Sequence, residues 1–379
     1  MIQTNRVIQD DCLSVLAEMG DLKAELIFAD PPFNIGFGYD LYRDNRDYDE
    51  YTDWTRQWMR ACTDFLTPTG AFWVAIGSEY AAEVRAIGRE CDLHLRNWII
   101  WHYTFGQNTK AKFARSHAHL FYFTKDAREF TFHGDAVRVL SDRQKEYADR
   151  RAHPLGRVPF DVWTEFVRVC GSFAEREGWH PCQMPESLLA RIIRVSSNPG
   201  DLVFDPFAGS GTTLVTAKKT GRRYLGTEIS PDYVQGIRRR LETSPTPAEA
   251  EAAAGEGWPE FARAELASAY AEACLPLTTL FGNEYLAEVF TNQFHARLAA
   301  EGYSLRPTVA ELQTALDEMR RKSQLPRIRS FVNESAVGAE HQAKPRRRPR
   351  ARRNPQRKGT KPLASLYDSS NDSQRHAHE

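Results

Sequence analysis

The sequence predicts a doubly wound α/β fold, and three observations lead there. Short apolar runs bounded by Gly, Pro or Asp recur along the chain, segments of helical periodicity lie between them, and one glycine-rich turn joins such a run directly to a helix. The runs Leu26–Ala29, Ala71–Ile76, Leu202–Phe204 and Arg223–Thr227 read as buried parallel strands. Between them, Thr52–Phe65 places Trp54, Trp58, Ala61, Cys62 and Phe65 on one helical face, and Glu186–Val195 does the same with Leu188, Leu189, Ile192, Ile193 and Val195. Trp98–Tyr103 and His119–Thr124 read as two more strands, an antiparallel pair at the edge of the sheet.

The chain has 379 residues and a formal net charge of zero, so bulk charge calls for no polyanionic partner. The distribution of charge does. Lys344–Lys361 carries ten Lys or Arg and no acid, which leaves the rest net acidic and suggests a nucleic-acid-binding tail on an ordinary globular body. The six cysteines are scattered without CxxC spacing and read as thiols in a reducing compartment. The N-terminus lacks the apolar core of a signal peptide, and no run of eighteen apolar residues occurs, so the expected location is the cytoplasm, without a membrane span.

Two motifs carry chemistry. The first is Val203–Ser230, VFDPFAGSGTTLVTAKKTGRRYLGTEIS: it starts as a strand, turns at Gly209 and Gly211, enters a helix at Thr212 or Thr213, and continues into a second strand ending at Glu228. Glycines at the carboxyl end of a strand let a ligand approach the backbone, and Glu228, nineteen residues after Gly209, can accept both hydroxyls of a ribose. A dinucleotide loop would need glycine where Leu214 stands, and a phosphate-cradling loop would need Lys followed by Ser or Thr. The loop therefore fits a nucleoside without a phosphate chain, S-adenosyl-L-methionine foremost. The bland alternative is a glycine turn in a cofactor-free domain.

The second motif is Leu26–Asn34, LIFADPPFN. A strand delivers Asp30, and Pro31 and Pro32 then fix the backbone in an extended turn followed by Phe33. An exocyclic amine on a base is a poor nucleophile because its lone pair is delocalised into the ring. A carboxylate and a carbonyl, here Asp30 and Pro31, can accept its two N–H bonds and free that lone pair, and such pre-set acceptors are worth roughly 3–4 kcal/mol each. The base must leave the duplex to reach them, and an aromatic such as Phe33 can stack on it. The alternative is a turn in which Asp30 caps a helix and Phe33 packs in the core.

In this order the two motifs resemble the β-class amino-methyltransferases of DNA, the adenine-N6/cytosine-N4 family of restriction-modification and solitary enzymes. The resemblance extends from Val7 to Leu241. It implies a Rossmann-like, S-adenosylmethionine-dependent methyltransferase fold, circularly permuted so that the catalytic motif precedes the cofactor motif. IQDDCLSVL resembles the segment that contacts the cofactor adenine, which points to Asp11 and Cys12. SHAHLFYFTKD resembles the strand lining the target-base pocket, and HPCQMPESLL the helix that closes over the methionine moiety. Carried over, Asp30 and Pro31 orient the amine and Phe33 stacks the base. Phe207, Gly209, Ser210, Gly211 and Thr212 cradle the methionine part, with Asp205 and Asp30 beside them, and Glu228 holds the ribose. The family usually has Tyr where Phe33 stands and Lys where Met184 stands. Asp in the catalytic motif goes mainly with adenine N6 and Ser with cytosine N4, so Asp30 favours adenine.

The implied division is a catalytic half over residues 1–124, a target-recognition insertion over 125–179, a cofactor-binding half over 180–243, a linker over 244–257, a small helical domain over 258–332 and a disordered basic tail over 333–379. The insertion holds Arg138, Arg143, Lys145, Arg150, Arg151, Arg157 and Arg168 as candidate DNA contacts. The expected partners are duplex DNA, a second copy of the chain and a cognate restriction endonuclease. RNA, a protein amide or a non-catalytic DNA-binding role stand as alternatives. Pro181-Cys182 sits just before a helix leading into the glycine loop, the wrong place for a cytosine-C5 nucleophile. Cys91 with His94 lacks a second ligand pair for a metal, and His117 and His119 read as structural.

Overall fold

Eight strands pair in the order β1-β8-β7-β2-β3-β5-β4-β6. In chain order the strands are β1 (Arg6–Gln9), β2 (Ala24–Ala29), β3 (Leu66–Ile76), β4 (His94–His102), β5 (His117–Thr124), β6 (Val162–Trp163), β7 (Leu202–Asp205) and β8 (Arg223–Glu228). The helices that flank the sheet are α1 (Cys12–Ala17), α2 (Tyr48–Phe65), α3 (Ala81–Glu90), α4 (Asp142–Tyr147), α5 (Glu186–Ser196), α6 (Thr212–Lys219) and α7 (Pro231–Thr243). Five more follow: α8 (Pro247–Ala254), α9 (Glu260–Ala273), α10 (Leu277–Gly282), α11 (Glu284–Ala300) and α12 (Val309–Arg321). This computed structural model describes residues 3–104, 109–171, 175–255 and 257–325, which all fall in one compact unit. The basic tail lies outside them. No helix among the described residues is long and apolar enough to cross a membrane.

Alternation along each central strand feeds two cores. Leu26 and Phe28 of β2 and Ala71, Trp73 and Ala75 of β3 face α5, α6 and α7. Ile27 and Ala29, with Phe72, Val74 and Ile76, face α1, α2 and α3. Both faces are covered, as a parallel sheet requires. The strands expected from sequence all appear, most of them a few residues longer. β4 and β5 pair antiparallel as expected, but β6 lies outside them at the edge. The insertion is thus not separate from the sheet: it contributes β6 and puts Trp163 and Phe166 into a core.

Two expectations change. Residues 244–257 are not a plain linker, because they contain α8. Thr246 accepts the Glu249 N–H while the Glu249 carboxylate accepts the Thr246 N–H, and Pro247 opens the helix with no N–H to satisfy. The C-terminal helices are not a separate small domain either. Arg191 of α5 pairs with Glu165 and with Glu272 of α9, at 2.5 Å each, and Arg194 pairs with Glu265 at 2.8 Å and Glu301 at 2.6 Å. Arg297 of α11 closes the set, 3.0 Å from Glu265 and 2.8 Å from Glu272. Apart from the half-buried Glu165 these charges are buried, and neighbouring guanidinium groups hold Glu272 ionised against the cost of its burial, with its carboxyl brought down to about 2. A buried pair broken from one side leaves a charge without compensation. Replacing Arg297 by Met is expected to destabilise the fold by about 3–5 kcal/mol, read as a lowered urea midpoint.

Candidate active site

Four loops leave the carboxyl ends of four neighbouring strands. In spatial order β1, β8, β7 and β2 deliver Asp10-Asp11, Glu228, Asp205-Pro206-Phe207 and Asp30. β2 and β7 are held together by the pairs Leu26↔Val203 and Ile27↔Phe204. The chain leaves β2 toward one face of the sheet and β7 toward the other, which opens a crevice between their ends. A cleft of about 420 Å³ lies there, within the range of small-molecule sites.

The glycine loop needs its glycines. Gly209 and Gly211 have φ of +51° and +76°. A Cβ on Gly211 would lie 2.9 Å from Ile237, and one on Gly209 would lie 3.1 Å from the His180 ring. The Phe207 N–H donates to Asp205 and the Gly209 N–H donates to Glu228, each at 2.9 Å. Ser230 donates its N–H to the other Glu228 oxygen. Behind the loop, Arg240 donates to the Ser210 carbonyl at 2.6 Å and is itself held by Glu186. Phe207 packs on Trp54 and Trp58 of α2, ring centres 5.5 and 5.2 Å away.

The proline turn is equally constrained. Tyr51 donates its hydroxyl to the Pro32 carbonyl at 2.6 Å. Asn34 takes φ of +55°, accepts the Arg46 N–H and donates to the Arg46 carbonyl and to Tyr80. The buried Asp44 carboxylate accepts the N–H groups of Asn34, Ile35 and Phe37, so one side chain gathers the backbone after the turn.

Asp30 emerges from this frame into the cleft. Among the described residues nothing donates a hydrogen bond to its carboxylate, and nothing is bonded to the Pro31 carbonyl. Burial first, and then the Asp205 carboxylate, push the Asp30 carboxyl up to about 7, while the Arg168 guanidinium opposes the shift. Burial likewise carries Asp205 to about 7 and raises Glu228. His180 is pushed down to about 4 by burial and stays neutral.

Of the residues singled out from sequence, Asp11, Cys12, Asp30, Pro32, Asp205, Phe207, Gly209, Ser210, Thr212 and Glu228 line the cleft, as does Met184. Gly211 turns the loop behind it, as the N-cap of α6. Pro31 is buried, and Phe33 packs beside Gly77 at the end of β3 against the core. Cys182, just before α5, also lines the cleft. Burial and the nearby Asp30 charge raise its thiol, although Arg168 and Tyr39 hydrogen-bond to it, and it stays neutral rather than nucleophilic. Cys91 is buried in a core and His94 is exposed. His119 accepts from Trp98 at 2.9 Å, and both His119 and His117 lie near Ser78.

The basic residues of the insertion are largely engaged internally. Arg143 and Arg151 share Asp149, Arg138 pairs with Asp135, Arg150 lies over Tyr285, Arg157 stacks on Phe160, and burial pushes the Lys145 ammonium down. Arg168 alone of the seven stands beside Asp30. Sequence reading missed Tyr39, Asp40, Arg46, His180 and Tyr233, which also line the cleft. For Tyr39 and Asp40 the signal was the run NIGFGYD, where glycines alternate with aromatics directly after the turn.

A model of the DNA methylase family matches residues 24–239. The type II methyltransferase M.HpaI of Haemophilus parainfluenzae is 31% identical over 239 residues, which cover 63% of this chain and 74% of that one. The DNA adenine methyltransferase YhdJ of Escherichia coli (strain K12) is 34% identical over 250 residues, 64% of this chain and 84% of the relative. Among solved structures, the DNA modification methylase TTHA0409 of Thermus thermophilus, complexed with S-adenosyl-L-methionine, is similar at 24% identity and a TM-score of 0.45, covering 63% of this chain and 93% of that one.

The strain at the glycine loop makes a prediction. Gly211→Ala forces either an unfavourable φ or displacement of Ile237, at a cost of about 1–3 kcal/mol. Calorimetric titration with S-adenosyl-L-methionine is expected to give an affinity lowered by roughly tenfold.

Proposed function

The chain belongs to the DNA methylase family, and on that premise we propose that it methylates adenine N6 in duplex DNA, with Asp30 and the Pro31 carbonyl as the acceptors that orient the amine. One observation carries this reading. A partly buried carboxylate without a hydrogen-bond donor stands next to an unbonded carbonyl, in the same cleft as a glycine loop built for a nucleoside. An amine with two N–H bonds satisfies both acceptors at once.

The cleft fits S-adenosyl-L-methionine by its charge. Six acids (Asp10, Asp11, Asp30, Asp40, Asp205 and Glu228) line it against two arginines, Arg43 and Arg46, an acidic balance that disfavours a phosphate chain and suits a cationic sulfonium. When bound, that ligand supplies an electrophilic methyl group. Each Glu228 oxygen accepts one backbone N–H and keeps a lone pair for a ribose hydroxyl. Gly209 and Phe207 offer a close-approach backbone and an apolar wall, and Asp11, which lines the same cleft, is the acceptor we assign to the adenine end. Asp30 draws on the amine N–H, polarises the nitrogen and is positioned to receive the proton the amine loses. The neutral Cys182 thiol and neutral His180 border this path without competing for that proton.

Adenine is favoured over cytosine by Asp30 in the catalytic motif and by the adenine specificity in the name of YhdJ. The type II relative supports extending the reading to a site-specific enzyme that works beside a restriction endonuclease. Single-molecule sequencing of DNA from a host expressing the protein is expected to reveal N6-methyladenine at one short motif. Asp30→Ala removes an acceptor worth about 3–4 kcal/mol, so the variant should methylate about 10²–10³-fold more slowly while still binding cofactor. N4-methylcytosine at the motif would overturn the choice of base.

Ionised Asp30 is the working form, and its carboxyl is raised to about 7. Activity should therefore fall as pH drops through about 7. Arg168→Met removes the charge that favours ionisation, so the acidic limb of the kcat/KM profile should move to higher pH. An unmoved limb would argue against Asp30 as the titrating group.

A further inference from the structure

Among the described residues, the connection between β4 and β5 contributes none to the cleft. β5 runs antiparallel to β3 with Ile76 opposite His119, and β3 runs parallel to β2 with Val74 opposite Ala29. The connection therefore emerges at the same end of the sheet as Asp30. Its returning limb is tied to the catalytic turn. Arg115 forms an ion pair with Glu79, and a point just off Gly77 lies 3.1 Å from the Phe33 ring and 3.4 Å from the Arg115 guanidinium.

Two residues before Arg115 stands Phe113, which is 99% exposed. At most about 7 Å of extended chain separates them, so the ring stays close to the end of β3, where Arg115 and Phe33 meet beside Gly77. The Thr109 hydroxyl donates to the Lys112 carbonyl and fixes the turn that precedes it. Lys110 and Lys112 are exposed as well, and neither forms an ion pair among the described residues. A whole aromatic ring in water beside unpaired cations is poorly suited to a free surface. It suits a polyanion that also offers an apolar interior, which is what a stacked duplex does.

We propose that Phe113 is the wedge that enters the base stack and fills the space left by the target base as it turns into the cleft. The proposal rests on the DNA-methylation reading. Lys110 and Lys112 bring phosphates to the turn, Arg115 anchors it beside Phe33, and Phe113 substitutes its ring for the lost stacking partner. The wedge lowers the cost of extruding the base and takes no part in the methyl-transfer chemistry.

The test compares two substrates carrying the protein's own methylation motif: a fully matched duplex, and one in which the target base faces an abasic position and has no pairing partner to give up, so that it is extruded at lower cost. Phe113→Ala is expected to lower kcat/KM on the matched duplex by about tenfold or more and to work within about twofold of the unaltered protein on the abasic duplex. Phe113→Trp should behave as the unaltered protein on both. An equal loss on both substrates, or no loss on either, overturns the wedge. Failure of the unaltered protein to methylate either duplex overturns the methylation reading instead, and the wedge with it.

Discussion

Two Cα pairs between β2 and β7 set the conditions for everything at the site. Leu26↔Val203 and Ile27↔Phe204 join segments that are far apart in sequence, and their parallel register puts Asp30 and Asp205 at one end of one crevice. A one-residue slip would turn every side chain of β2 to the opposite core. The register is held because both faces are apolar and differently packed, with Trp73 and Phe28 on one side and Trp58 and Phe72 on the other. The two acids repel each other across the gap, and the fold tolerates this because the strands that carry them are locked by cores on both sides. Pre-organisation here means that packing holds groups whose charges would rather separate.

Much of this was legible in the sequence where local chemistry is unambiguous. Asp30 followed by two prolines, the paired Gly209 and Gly211, and Glu228 at the end of the next strand each demand a particular backbone, and each lies where that demand puts it. β1 and β6 were not legible, because four residues with Arg and Gln at the ends, or two residues alone, carry no periodicity. α8 was misread from its Pro, Ala and Glu content, although Thr246-Pro247-Ala248-Glu249 is a capping box with proline at the first helical position.

The insertion teaches a similar lesson about charge. The seven basic side chains singled out in this irregular segment suggested an electrostatic surface, yet carboxylates and aromatic rings within the protein engage most of them. Arg168 acts differently because it faces the crevice, where its charge opposes the burial of Asp30. The groups that gather the catalytic turn, Asp44 with Asn34 and Tyr51, lie near it in sequence but only tertiary structure aims them.

The ion set between α5 and the C-terminal helices has a consequence for exchange of parts between relatives. Arg191 and Arg194 sit on the helix that leads into the glycine loop, while Glu265, Glu272 and Glu301 sit beyond α7. A chimera that grafts foreign helices after residue 257 inherits buried arginines without counter-charges, and one that transplants only the catalytic body carries the mismatch the other way. The joint that looks separable in the sequence is the wrong place to cut, and a functional graft must move α5 together with the helices it is paired to.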